Sequence, residues 1–308
     1  QAIEKFTGIL NGNGKTISLT SRNSSGIFKS TEGAEINNLK VAIDIVNSSA
    51  STAVGGLIGQ ATDTKISEVS GSISVTNNSG QNNPGTGGLV GKSENTLIEK
   101  VDVTTKITTN SLSSAIGGVV GTSDDNSSVT DTKVTLEVTG NNGTASVGGV
   151  IGEVKKTDAV DPSSGPAPTL QVTNVDATVK VVAQAQNDAA ANSAATTVGA
   201  VGGVIGQTNG NVAIVGSTAT VEVKATVETK VSNEVKNEGN SIISEVKAST
   251  ETGVVGGLVG SANNANVQVS QSTTSVTISN KAVAEATNPG ATLSTSVSTS
   301  PVGGAVGL

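Results

Sequence analysis

Apolar and polar residues alternate along most of the chain, in short stretches separated by polar turns. Ile66, Val69, Ile73 and Val75 form one such stretch, and Val129, Val134, Leu136 and Val138 another. Leu170, Val172, Val175, Ala177, Val179 and Val181 form a longer one, and Val267, Val269, Val276 and Ile278 close the series. A period of two in β-branched residues predicts strands with one buried face. Three-four spacing is largely missing, so no helices are expected.

Each alternating stretch follows a glycine signature, Gly-Gly-x-x-Gly. Its copies carry Gly55, Gly56 and Gly59; Gly87, Gly88 and Gly91; Gly117, Gly118 and Gly121; and Gly148, Gly149 and Gly152. They continue with Gly202, Gly203 and Gly206; Gly256, Gly257 and Gly260; and Gly303, Gly304 and Gly307. The first glycines are spaced by 32, 30, 31, 54, 54 and 47 residues. Gly26-Ile27-Phe28 is a degenerate earlier copy, with Lys29 in place of the last glycine.

One unit cannot bury its own apolar face, but stacked units cover one another. Equivalent strands then pair in parallel about 4.8 Å apart. A unit of about 30 residues suits one coil of three short strands and three turns. The expected fold is therefore all-β: a right-handed parallel β-helix, or β-solenoid, spanning residues 1–308, with residues 1–40 as an N-terminal capping coil. The glycines are expected at sharp corners, either at positive φ or pressed against neighbouring backbone. The longer spacings predict insertions at 184–198 and 225–252, the second being either a strand pair leaving the coil or an extra coil. Asp158–Pro168, with three prolines and a glycine, reads as a surface loop.

Phe6-Thr7-Gly8-Ile9-Leu10-Asn11-Gly12-Asn13-Gly14-Lys15-Thr16-Ile17, then Gly26-Ile27-Phe28 and Ile36-Asn37-Asn38-Leu39, resemble the opening of GLUG-motif repeat proteins. The later Val-Gly-Gly-Leu-Ile-Gly units resemble the motif that names that family. The resemblance implies a parallel β-helix and an extracellular place, in bacterial surface or secreted proteins that serve as stalks, adhesive regions or appendages to enzymes. It implies no particular ligand.

Composition narrows the function classes. Net charge is −7, and Arg22 is the only arginine, so a nucleic-acid partner is not expected. No apolar run reaches the length of a membrane span, so membrane insertion is not expected. Cys, His, Met, Trp and Tyr are absent, and Phe6 and Phe28 are the only aromatics. The start, Gln1-Ala2-Ile3-Glu4-Lys5, carries no signal pattern and reads as processed or excised. The last residues follow a glycine motif directly, which leaves two expectations: a segment of a longer protein, or an end that pairs with another subunit.

Candidate chemistry is thin. Gly12-Asn13-Gly14-Lys15-Thr16 has the wrong spacing for a phosphate loop and reads as an Asn-Gly turn. Seven glycine motifs without following helices argue for architecture rather than dinucleotide binding. Asp124 with Asp125, Asp158 with Asp161, and Glu68 with Glu99 are the carboxylate pairs to weigh for glycoside chemistry. All three read better as solvated turn residues, and the Asp124-Asp125-Asn126 turn matches no calcium loop. No catalytic, cofactor or metal site is expected. Threonine-rich stretches such as Thr104–Thr109 read as strand composition rather than an ice-binding face. The expected role is a non-catalytic structural or adhesive region whose partner is a host or surface protein or glycan. The alternatives are a self-assembling extracellular filament and a polysaccharide-active or carbohydrate-binding β-helix.

Overall fold

A computed structural model describes residues 2–48, 52–78, 84–110, 115–141, 143–157, 167–188, 193–231, 245–286 and 292–307. Among them all regular structure is strand, and every strand pair is parallel. The molecule is a parallel β-solenoid. One register column runs through Ile3, Phe28, Ile58, Val90, Val120, Ile151, Ile205, Val259 and Val306, one residue per coil.

From Val54 onward the coils contribute to three sheets along the axis, and the first coils to two of them. A short-strand sheet holds Ile3–Phe6, Phe28–Glu32, Ile58–Thr62, Val90–Glu94, Val120–Asp124, Ile151–Lys155, Ile205–Thr208 and Val259–Ala262. A long-strand sheet holds the alternating segments, from Thr16–Arg22 through Glu35–Asn47, Lys65–Asn77 and Ser128–Asn141 to Thr273–Ala286. A glycine sheet stacks the two-residue strands Val54–Gly55, Thr86–Gly87, Ile116–Gly117, Val147–Gly148, Val201–Gly202, Val255–Gly256 and Val302–Gly303. The period-two pattern does what it predicts. In Ser128–Asn141, Val129, Val134, Leu136 and Val138 are all buried, and Lys133 and Thr135 between them are exposed. The buried rows of all three sheets form one core that is aliphatic apart from Phe28 and the partly buried Phe6.

The motif glycines take the second of the two expected roles. None has a positive φ. Instead, a Cβ on Gly88 would lie 2.1 Å from the carbonyl oxygen of Gly118, and one on Gly118 would lie 2.2 Å from that of Gly149. A Cβ on Gly149 would also meet the side chains of Val179 and Ala177. The second glycine of every motif up to Gly257 is therefore squeezed between the next coil's backbone and the inner face of the long-strand sheet. Only a residue without a side chain fits there.

Positive φ falls elsewhere. Asn38, Glu68, Lys100, Asp131, Asn174, Gly216 and Gln271 share one column, with φ between +47° and +63°. Each interrupts the long-strand segment at the same height, as between Asn37 and Leu39 opposite Ser67 and Val69. A single left-handed residue there turns the chain without leaving the sheet.

Residues 189–192 and 232–244 of the two expected insertions lie outside the described residues; the described parts of both prolong existing strands and pair in a fourth sheet. The long-strand segments become Leu170–Asp188, Thr218–Val231 and Thr273–Ala286. The return strands are Gly143–Thr144, Ser193–Val198, Glu245–Thr252 and Thr292–Thr299, paired in parallel in that order. Between the two sheets lies a second, small core of Ala185, Val227 and Ala248, flanked by Ala194, Ala282 and Ala284. Five of these six residues are alanines, so the layer is packed mainly with small side chains. The cross-section therefore widens towards the C-terminal coils. The loop expected at Asp158–Pro168 lies mostly outside the described residues.

Phe6 and Phe28 meet with ring centroids 5.0 Å apart and planes tilted by 33°. Phe28 occupies the column of Ile58, and Phe6 sits one coil earlier, so the pair lines the inside of the first coils.

Candidate functional site

The two carboxylate pairs that lie among the described residues, Glu68 with Glu99 and Asp124 with Asp125, each have structural partners. Glu99 lies opposite Ser67, and Glu68 stands level with Lys100, one position out of step. Lys65 Nζ lies 3.0 Å from a Glu99 carboxylate oxygen, and Lys100 Nζ lies 3.7 Å from Glu68. The two acids therefore belong to separate ion pairs between coils. The Lys65 ammonium is held above its ordinary pKa, chiefly by the hydrogen bond to Glu99 and then by that carboxylate's charge.

Asp124 accepts hydrogen bonds from the Asn95 backbone N–H at 3.0 Å and from the Ser127 hydroxyl at 2.6 Å. Asp125 is buried and accepts from the Thr157 backbone N–H at 2.8 Å and from the Thr157 hydroxyl. Both carboxylates thus cap backbone of neighbouring turns, and no cluster of metal-ligating side chains occurs among the described residues. Asp158 and Asp161 lie outside the described residues. The Asn11–Gly14 segment is a coil turn: Lys15 N–H donates to the Gly12 carbonyl at 2.8 Å, and Asn13 N–H to the Asn11 side chain at 2.8 Å.

The coils also stack side chains of one kind. Asn110 donates to Asn78 at 3.1 Å, and Asn141 donates to Asn110 at 2.9 Å, making an outer asparagine ladder. Ser93 and Ser123 hydroxyls meet inside at 2.9 Å. On the outer face of the long-strand sheet Lys106, Glu137, Lys180 and Glu222 are register partners, alternating in sign. Beside them Thr104, Thr135, Thr178 and Thr220 form a threonine column that the sequence positions had not suggested. The charged row separates this column from the next outward one, Thr76, Thr108 and Thr139, so the face is not a uniform threonine plane.

Two hollows lie where the short-strand sheet meets the approach to the glycine sheet. One wall is the column Gln60, Lys92, Thr122, Glu153 and Gln207. The other is the column Gly85, Ala115, Ser146 and Ala200, whose carbonyls each accept from the preceding coil at 2.8–2.9 Å. A hollow of about 230 Å³ lies at the first coils, between Ala53, Gln60, Pro84 and Lys92. Another of about 420 Å³ lies between Ala115, Ser146, Glu153, Ala200 and Gln207. Between them the buried Thr122 closes the gap, its hydroxyl donating to the Pro84 carbonyl and its backbone lying against Gly85. Sequence reasoning missed these hollows, because their walls come from columns whose residue types change at every coil.

No protein-family model matches the chain, and no curated protein or solved structure shows significant similarity to it.

Proposed function

We propose that the chain is a non-catalytic, adhesive β-solenoid of a bacterial surface or secreted protein, of the kind that GLUG-motif repeats build. The observation that supports this reading most is the use made of the glycine motifs. Every copy from Gly55 to Gly257 is spent on coil-to-coil packing, with the next backbone within van der Waals distance of where a side chain would start. The repeated signature serves to build a stiff body. Partner contact then belongs to the residues that vary from coil to coil: the outer columns, the widened C-terminal side and the corner turns.

The test is an array of glycans and extracellular-matrix proteins probed with the full chain and with a variant lacking Ala225–Thr252, both checked for β-structure by circular dichroism. The reading predicts binding to at least one class of ligand without turnover. Reducing sugar released from a polysaccharide panel, or silence of the folded chain across the whole array, would overturn it.

A further inference from the structure

The outer face of the long-strand sheet carries a second pattern besides the alternation along each column. Its middle is an exposed column of small residues, Ala42, Ser72, Thr104, Thr135, Thr178 and Thr220. Two residues to one side stand Lys40, Asp102, Lys133 and Asp176, and two residues to the other stand Asp44, Lys106, Glu137 and Lys180. Ser70 and Ser74 fill the one neutral level among them. At every charged level the two flanking charges have opposite signs, and from Asp102 to Asp176 both signs reverse at each coil. The face is a checkerboard of charge with a neutral file down its centre.

Attraction between coils explains only half of this. It requires signs to alternate within a column, and it would be served equally if both columns alternated in the same phase. Charges four residues apart on one strand are about 13 Å apart, beyond the screening length of about 8 Å at physiological salt, so they hardly sense each other. None of the eight flanking charges forms an ion pair or a side-chain hydrogen bond among the described residues, whereas Lys65, Lys92, Lys100 and Lys155 elsewhere are all paired. What the opposite phase achieves is self-complementarity. A second copy, rotated by 180° about an axis along the small column and laid on this face, puts every charge against its opposite at its own level. Lys40 meets Asp44, Asp102 meets Lys106, Lys133 meets Glu137 and Asp176 meets Lys180, each contact occurring twice. Turned end for end about the level between Lys133 and Asp176, the copy would instead leave Asp102 facing Thr218. Facing sheets lie about 10 Å apart, and the small central residues let the backbones approach that closely while the long charged side chains overlap on either flank.

We infer that the long-strand face is a lateral interface between two copies of this chain, side by side and pointing the same way, with the small column on the two-fold axis. Three columns over the eight levels from Ser18 to Ser275 make a face of about 13 Å by 34 Å, or about 450 Å² per copy. That is the low end of interface sizes, so the pairing is weak, reversible and sensitive to salt. It requires no ligand and is independent of the adhesive reading above.

Sedimentation of the full chain over a concentration series, at about 20 mM and about 0.5 M salt, tests this. Dimer is expected at low salt, with association at least about tenfold weaker at high salt. Two triple variants separate this interface from any other. Asp102→Lys with Lys133→Glu and Asp176→Lys reverses one column, and Lys106→Glu with Glu137→Lys and Lys180→Glu reverses the other. Each keeps the alternation within its column, so the thermal midpoint should stay close to that of the parent. Each also sets like charges against one another across the two-fold, so each alone should lose self-association. Mixed together, the two variants regain opposite charges at all three levels and should pair with each other. Thr135→Trp, at an exposed site outside the core, should block self-association by bulk alone. A chain monomeric at every concentration and both salts, self-association that survives either column reversal or Thr135→Trp, or two folded triple variants that stay monomeric when mixed would overturn the interface.

Discussion

Alanine at Gly118 puts a methyl group 2.2 Å from the Gly149 carbonyl oxygen and 2.7 Å from Val134 Cγ2. Neither neighbour can yield, because one is backbone in the next coil and the other is core. Gly118→Ala should therefore cost about 3 kcal/mol. Gly304 occupies the equivalent place in its motif but has no atom within 4 Å of an added Cβ. Gly304→Ala should change stability by less than about 0.5 kcal/mol. Urea unfolding of both variants separates a steric requirement from a requirement for glycine as such. A second residue-scale expectation concerns the added layer. The Thr196 and Thr250 hydroxyls are register partners, each residue 1% exposed, and neither hydroxyl has a hydrogen-bond partner among the described residues. Removing an orphaned hydroxyl while keeping the shape is favourable, so Thr196→Val and Thr250→Val should each stabilise by about 1 kcal/mol, read as a higher urea midpoint.

At the scale of the element, register is set twice. Inside, the diglycine corners must align, and Gly55, Gly87, Gly117, Gly148, Gly202, Gly256 and Gly303 stand in one column. Outside, the alternating charges of Lys106, Glu137, Lys180 and Glu222 oppose slippage by one coil position. Glu137→Lys places like charges on three successive coils, at positions 106, 137 and 180. It should destabilise by about 0.5–1 kcal/mol at low salt. The loss should shrink in 1 M salt, where screening reaches about 3 Å. Midpoints at the two ionic strengths check both statements.

The repeat was readable because the glycine constraint is steric and therefore names a residue type. The strands were readable because their buried rows are aliphatic at a period of two. The left-handed column was not, since its constraint falls on the backbone and is met by Asn, Asp, Glu, Lys, Gln and Gly alike. The path of the extra residues was unreadable for a related reason. Ala185, Ala194 and Ala248 look like low-complexity filler until two sheets are laid against them. Of the candidate carboxylates, Glu68 lies 13 residues after Gly55 and Glu99 12 after Gly87, so sequence spacing already put them one position out of register, as found, but could not supply the lysines that separate them.

For the whole molecule, the axial column from Ile3 to Val306 has nine levels, a body about 40 Å long. Each coil touches chiefly the coils above and below it, so stability should accumulate along the axis as a sum of neighbour terms. The absence of cysteine from the sequence permits a direct test of that stacking. Thr104 is the register partner of Thr135, and Thr108 that of Thr139, all outward in the long-strand sheet. Under mild oxidation, the double variants Thr104→Cys with Thr135→Cys, and Thr108→Cys with Thr139→Cys, should each form an intramolecular disulfide. The crossed pairs, Thr104→Cys with Thr139→Cys and Thr108→Cys with Thr135→Cys, should stay reduced. Closure of the crossed pairs in place of the matched ones would mean antiparallel neighbours, and would contradict the stacked-coil account.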